Sequence, residues 1–238
     1  MTKTSKIVSI PKEKLHEGFN ECQHKVNDLL KSSQILFDAT QFNESLALSI
    51  LATEETTKLS IILDHIKEGA IIESNDWSEI TTKRGMHIAK LTKIQKDSKQ
   101  QIEKMAEGEF ENLPRIKKSN ISRTHAIKQL QILEDMYAKL GEIKNACFYV
   151  NWKTDWSTLS IYFSNVQDRK DLAYYYLTLG WLDYYSIIFI LKYDVDISDV
   201  KNYASHPYLK QYLKFRKISR SKEFLQLYEK IKQLLNTI

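Results

Sequence analysis

Apolar positions recur every three or four residues along most of the chain, the periodicity of helices that bury one face. Leu15, Phe19, Cys22, Val26, Leu29/Leu30, Ser33 and Phe37 step through the first such segment. It is predicted to open at Pro11, as a first-turn proline, and to run to about Ala39. "DATQFNES" interrupts the pattern, and Asn43 is the predicted N-cap of a second helix, "SLALSILATEETTKLSIILDHI", closed by Gly69. A loop through "IIESND" leads to a third helix, from near Asp76 to about Glu107, whose charged second half reads as a solvated face or projecting arm. Gly108, Pro114 and Asn120 mark a loop before a fourth helix, about Ser122 to Cys147. "FYVNWKTDWS" is an aromatic, non-periodic connector with Ser157 as a cap. The fifth helix is expected over about Leu159 to Lys192, with a break near Asn165 or Gly180, and the tail as two or three shorter helices. The fold class is all-α, an antiparallel helical bundle over 1–193 with 194–238 as a C-terminal helical extension packed on the same domain.

Composition agrees with that pattern. Gly 6 and Pro 3 in 238 residues leave few helix breakers. The formal charge of +5 permits contact with nucleic acid without requiring it, and the excess reads as small and spread out. Cys22 and Cys147 offer neither a disulfide framework nor zinc spacing, which suits a reducing cytoplasm. Metal ligands at suitable spacing are missing from the sequence, and no cofactor is expected. The N-terminal "MTKTSKIVSIPKEKL" has no apolar run of the secretory kind. "LAYYYLTLGWLDYYSIIFILKY" has the length of a membrane span. Asp183 near its centre would cost about 2.5–3.5 kcal/mol there, and the hydroxyls of six tyrosines would need partners in lipid. The segment therefore reads as a central bundle helix or a homodimer contact, and no membrane partner is expected.

The second helix carries the chemistry worth explaining. Leu46, Ala47, Ile50, Ile61 and Ile62 share one stripe, and Glu54 falls inside it or at its edge, with Glu55 and Lys58 close by. A carboxylate withdrawn from water needs a cation or several donors. Glu54 and Lys58 have i,i+4 spacing, worth a few tenths of a kcal/mol on an exposed face. In an apolar stripe at least one carboxylate should instead find a cation from another helix. The cluster then serves either as a buried structural network or as part of a catalytic site. Tyr149, Trp152 and Trp156 read as base-stacking groups or, more simply, as core or interface. Cys147 reads as a small buried hydrophobe.

Three strings in order, "SLALSILATEETTKL", "RGMHIAKL" and "KNACFYVNW", resemble the AbiV family of bacterial abortive-infection proteins, a branch of the HEPN group. They match an "AL-x-ai-EE-xx-K" helix on Ala47 to Lys58, an "H-xx-K" helix on His87 to Lys90, and a "K-xxx-lYV-d" segment on Lys144 to Asn151. The resemblance covers roughly residues 8 to 190 and implies a HEPN-like bundle, a homodimer, an anti-phage role triggered by a phage-encoded protein, and RNA cleavage without a metal. It implies a site drawn from Glu54, Glu55, Lys58, His87, Lys90, Lys144 and Asn145, with Arg84, Tyr149 and Trp152 against RNA. Such cleavage needs a group to take the 2′-hydroxyl proton, a cation for the phosphate and an acid for the leaving oxygen. Histidine suits the proton transfers. Catalytic HEPN members usually carry Arg-x(4–6)-His, and this sequence has no such spacing; Arg84 and His87, and Arg123 and His125, stand closer. A non-catalytic binding protein on the same bundle is the alternative.

Overall fold

The computed structural model describes residues 9–74, 77, 139–141, 143–147, 163–195 and 202–235, together with the backbone of 151–152 and 156–157. Two 27-residue helices, α1 (Lys12–Asp38) and α2 (Phe42–Glu68), form an antiparallel hairpin. Leu15, Phe19, Val26, Leu30 and Ser33 bury one stripe of α1, as the periodicity requires. Pro11 stands just before the first turn, with extended backbone, rather than inside it. Gln41, and not Asn43, occupies the N-cap of α2, because Phe42 is drawn into the core and the helix starts two residues earlier. Gly69 ends α2 in the left-handed conformation, where its φ of 61° suits a residue without Cβ. Beyond it, Ile72 exchanges backbone hydrogen bonds with Ile10 (2.8 and 3.1 Å), tying the N-terminal arm to the far end of α2.

The hairpin packs against α3 (Val166–Tyr185), which is buried on several sides by α1, α2 and the C-terminal helices. Asn165 caps it by accepting a hydrogen bond from the Gln167 N–H (2.8 Å). The expected break near Asn165 is therefore the helix's own start, and the helix runs unbroken through Gly180. A Cβ at Gly180 would lie 2.7 Å from Leu30 Cδ2, so the glycine lets α1 and α3 approach closely. The last turns, Ser186–Leu191, widen into a π-helix. The residues that Ser157 is expected to cap, 158–162, lie outside the described residues. Trp156–Ser157 (β2) pairs antiparallel with Asn151–Trp152 (β1), a two-residue hairpin inside an otherwise helical fold. No helix among the described residues is long and apolar enough to cross a membrane.

Helices α4 (Leu209–Ser219) and α5 (Lys222–Leu235) complete the described structure. Phe224, Tyr228, Ile231 and Leu235 of α5 enter the same apolar cluster as Leu140, Ile143 and Ala146. Lys230 bonds Asp168 and Asp171 at the start of α3 (2.7 and 2.6 Å), and Lys139 donates to the Leu235 carbonyl at the end of α5. Of the expected helix from Asp76 to Glu107 only Trp77, which is helical, is described, and the fourth helix before residue 139 lies outside the described residues; 139–141 and 143–147 are helical. The aromatic surplus of α3 is largely consumed inside the chain. Tyr175, Tyr176, Trp181 and Tyr184 are buried, while Tyr174 is exposed.

Candidate functional site

Small polar residues fix how closely α1 and α2 approach. The Ser33 hydroxyl of α1 donates to the Ser45 carbonyl (2.7 Å) and lies 3.0 and 2.7 Å from the Ser45 and Ser49 hydroxyls of α2. Farther along α2, Thr53, Thr56 and Thr57 donate to the carbonyls four residues back, at 3.1, 2.7 and 3.3 Å. These hydroxyls are satisfied by their own helix.

Glu54 lies within this polar stretch, and its side chain is only 1% exposed. Among the described residues it pairs with Lys144, from the helical residues 143–147. The Lys144 ammonium, 4% exposed, donates to Glu54 Oε1 at 2.6 Å. The i,i+4 pairing of Glu54 with Lys58 is overturned. Lys58 turns to the helix edge and bonds Glu55 at 2.7 Å, with the two side chains 15% and 17% exposed. The reason is positional. Glu54 follows Ile50 by one turn on the core-facing stripe, whereas Glu55 and Lys58 flank that stripe and reach toward solvent.

The electrostatics of Lys144 are mixed. Burial pushes its amine below the usual lysine range, while the hydrogen bond and charge of Glu54, and the charge of Glu55, pull it back up. Asn145, next in sequence, is exposed and does not join the pair. Cys147 is partly buried; burial, aided by the Glu44 carboxylate, pushes its thiol up to about 12, which withholds a thiolate nucleophile. His87, Lys90, Arg84 and Tyr149 lie outside the described residues, as does the ring of Trp152, whose backbone forms β1. The structure therefore brings together Glu54 with Lys144 and Glu55 with Lys58. Among the described residues no three His, Cys, Asp or Glu side chains gather as a metal site would need.

Sequence reasoning named both Glu54 and Lys144 without joining them, since 90 positions separate the two. It missed the Ser33–Ser45–Ser49 contact. The signal was present in Ser45, Ser49 and Thr53, small polar residues repeating every four positions along α2.

A family model described as AbiV (HEPN_AbiV) matches residues 14–179, well over half of the chain, from the start of α1 into α3. Comparison with curated proteins and with solved structures gives no match.

Proposed function

The chain belongs to the AbiV family of HEPN proteins, and on that premise we propose that it is a cytoplasmic bacterial anti-phage protein of the abortive-infection type. In this reading it cleaves RNA without a metal when a phage product activates it. The observation that carries the reading is the Glu54–Lys144 pair, two residues of separate family strings joined across the bundle at 2.6 Å. Its chemistry suits a preorganised cation. Glu54 orients the Lys144 ammonium, and Glu55 does the same for Lys58, so that charge is in place for a phosphorane with little reorganisation. His87 takes or returns the 2′-hydroxyl proton, and Lys90 stands with the lysines toward phosphate. Asn145 donates to the same phosphate, and Arg84, Tyr149 and Trp152 hold the strand. The active form is a symmetric homodimer, as the HEPN resemblance implies; a monomer by light scattering at micromolar concentration would count against this element.

The test is the sequencing of RNA ends after induced expression of wild type and of His87→Ala. New ends consistent with 2′-hydroxyl attack, lost in the variant and insensitive to EDTA in purified protein, support the reading; DNA should stay intact for want of the attacking hydroxyl. A second reading has a specific observation behind it. The sequence lacks Arg-x(4–6)-His, and a pair 1% and 4% exposed admits no phosphate as it stands. The bundle would then bind and block a phage or host factor, with the pair as architecture. Purified protein that binds its activator tightly yet leaves RNA whole would select this second reading.

A further inference from the structure

The chain's formal charge is +5. Residues 209–222 contain Lys210, Lys214, Arg216, Lys217, Arg220 and Lys222 and no Asp or Glu, a charge of +6, so the remaining residues sum to −1. Two other acid-free runs, 83–96 and 115–128, carry +5 each; the run at 209–222 is the one that lies largely on a described helix, in a part of the chain beyond the family match at 14–179.

The fold arranges these charges. Leu209 and Tyr212 bury one face of α4 in a cluster with Phe189 and Val195. At about 100° per residue, Lys210, Lys214 and Lys217 fall within roughly 60° of one another on the opposite side, about 6 and 4.5 Å apart along the axis. All three are exposed, as are Arg220 and Lys222 just beyond. Lys214 lies over the Phe215 ring (5.2 Å) and Arg216 over Tyr212 (5.9 Å). None of the six cations has an ion pair among the described residues. Like charges one turn apart cost a helix about 0.2–0.5 kcal/mol per pair, and no described carboxylate pairs with them to offset that cost.

We propose that the exposed face of α4, led by Lys210, Lys214 and Lys217, is a binding site for the sugar–phosphate backbone of single-stranded RNA. A row of cations one turn apart suits a ligand that carries one negative charge per nucleotide. An anionic membrane fits less well. Surface helices insert an apolar face, and the apolar face of α4 is already buried in the protein, leaving Leu213 as its one exposed large hydrophobic side chain. The choice of RNA over DNA rests on the RNA-cleavage reading above; the phosphate contact does not.

The experiment measures binding, not cleavage, so an inactive enzyme leaves it interpretable. Fluorescence anisotropy of a short labelled single-stranded RNA is followed with the full chain between about 50 and 200 mM salt. Combined Lys210→Gln, Lys214→Gln and Lys217→Gln should weaken binding about tenfold and flatten the log–log salt slope by about 2, near 0.7 per lost phosphate contact. The matching Lys→Arg triple should bind as wild type. The control triple, Lys25→Gln, Lys31→Gln and Lys170→Gln, removes the same charge from exposed lysines elsewhere, and should change affinity less than twofold. Equal losses in both Gln triples, or none in the α4 triple, would overturn the proposal. Equal, α4-dependent affinity for single-stranded DNA would support the phosphate site and remove only the choice of RNA, whereas α4-dependent binding to phosphatidylserine vesicles in place of RNA would overturn the proposal.

Discussion

Glu54 and Glu55 are neighbours on one helix, and each meets a lysine at nearly the same distance, 2.6 and 2.7 Å. They are nonetheless different interactions. Glu55 pairs with Lys58 three residues on, at the edge of α2 and in reach of water. Solvent screens such a pair, and removing it costs little. Glu54 pairs with a lysine 90 residues away, in a setting that excludes water from both groups. Each charge there has given up hydration that the other does much to replace, so losing one leaves its partner short of compensation. Bond length does not separate the two pairs; burial and sequence separation do.

The largest expected effect tests that contrast directly. Glu54→Gln should destabilise the protein by about 3–5 kcal/mol by removing the carboxylate hydrogen-bonded to the buried Lys144 charge, read as a fall in the urea midpoint with an unchanged slope. Replacing both partners with apolar residues, Glu54→Leu with Lys144→Met, should recover most of that stability. If the double variant folds well but loses its biological effect, the pair serves function; if the effect survives, it serves architecture.

A third carboxylate sharpens the comparison. Asp183 on α3 is partly buried and has no cation partner among the described residues, and burial pushes its carboxyl up to about 7. The folded state therefore holds a proton that the unfolded chain, titrating near 4, releases sooner. That contribution is full below about pH 4 and is lost as pH rises through about 7. Asp183→Asn should match wild type near pH 4 and exceed it at pH 8 by up to about 4 kcal/mol, three units at about 1.4 kcal/mol each, as read by thermal melts at the two pH values. A variant that gains nothing at pH 8 would mean that Asp183 is solvated or paired there.

The smallest effect belongs to Glu55. Glu55→Gln should cost less than about 1 kcal/mol, and less still at high salt. A loss comparable to that of Glu54→Gln would erase the distinction between the pairs.

Much of this was legible in the chain. The stripe Leu15, Phe19, Val26, Leu30 fixed the buried face of α1, Gly69 marked the end of α2, and the place of Glu54 beside Ile50 required a counter-charge from another helix. Those features are local, set by a 3.6-residue repeat and by the backbone freedom of glycine. The caps were less legible. Asn43 looked the better N-cap, yet burial of Phe42 set the start of α2 two residues earlier, because tertiary packing outweighs a cap contribution of about 1 kcal/mol. The strand pair Asn151–Trp152 and Trp156–Ser157 was not legible, since the sequence carried no alternation there.

The sequence by itself determined that the chain is helical, that it belongs to the AbiV family through motifs in order, and that α2 carries more carboxylate than its apolar stripe can leave unpaired. Only the tertiary structure decided that Lys144 and not Lys58 answers Glu54, and that most α3 aromatics serve the chain's own core. It alone set Lys210, Lys214 and Lys217 on the solvent side of α4. Periodicity states which residues share a face of one helix. Which face meets which, and which charge loses its water, depends on contacts between residues far apart in the chain, and no local pattern encodes those.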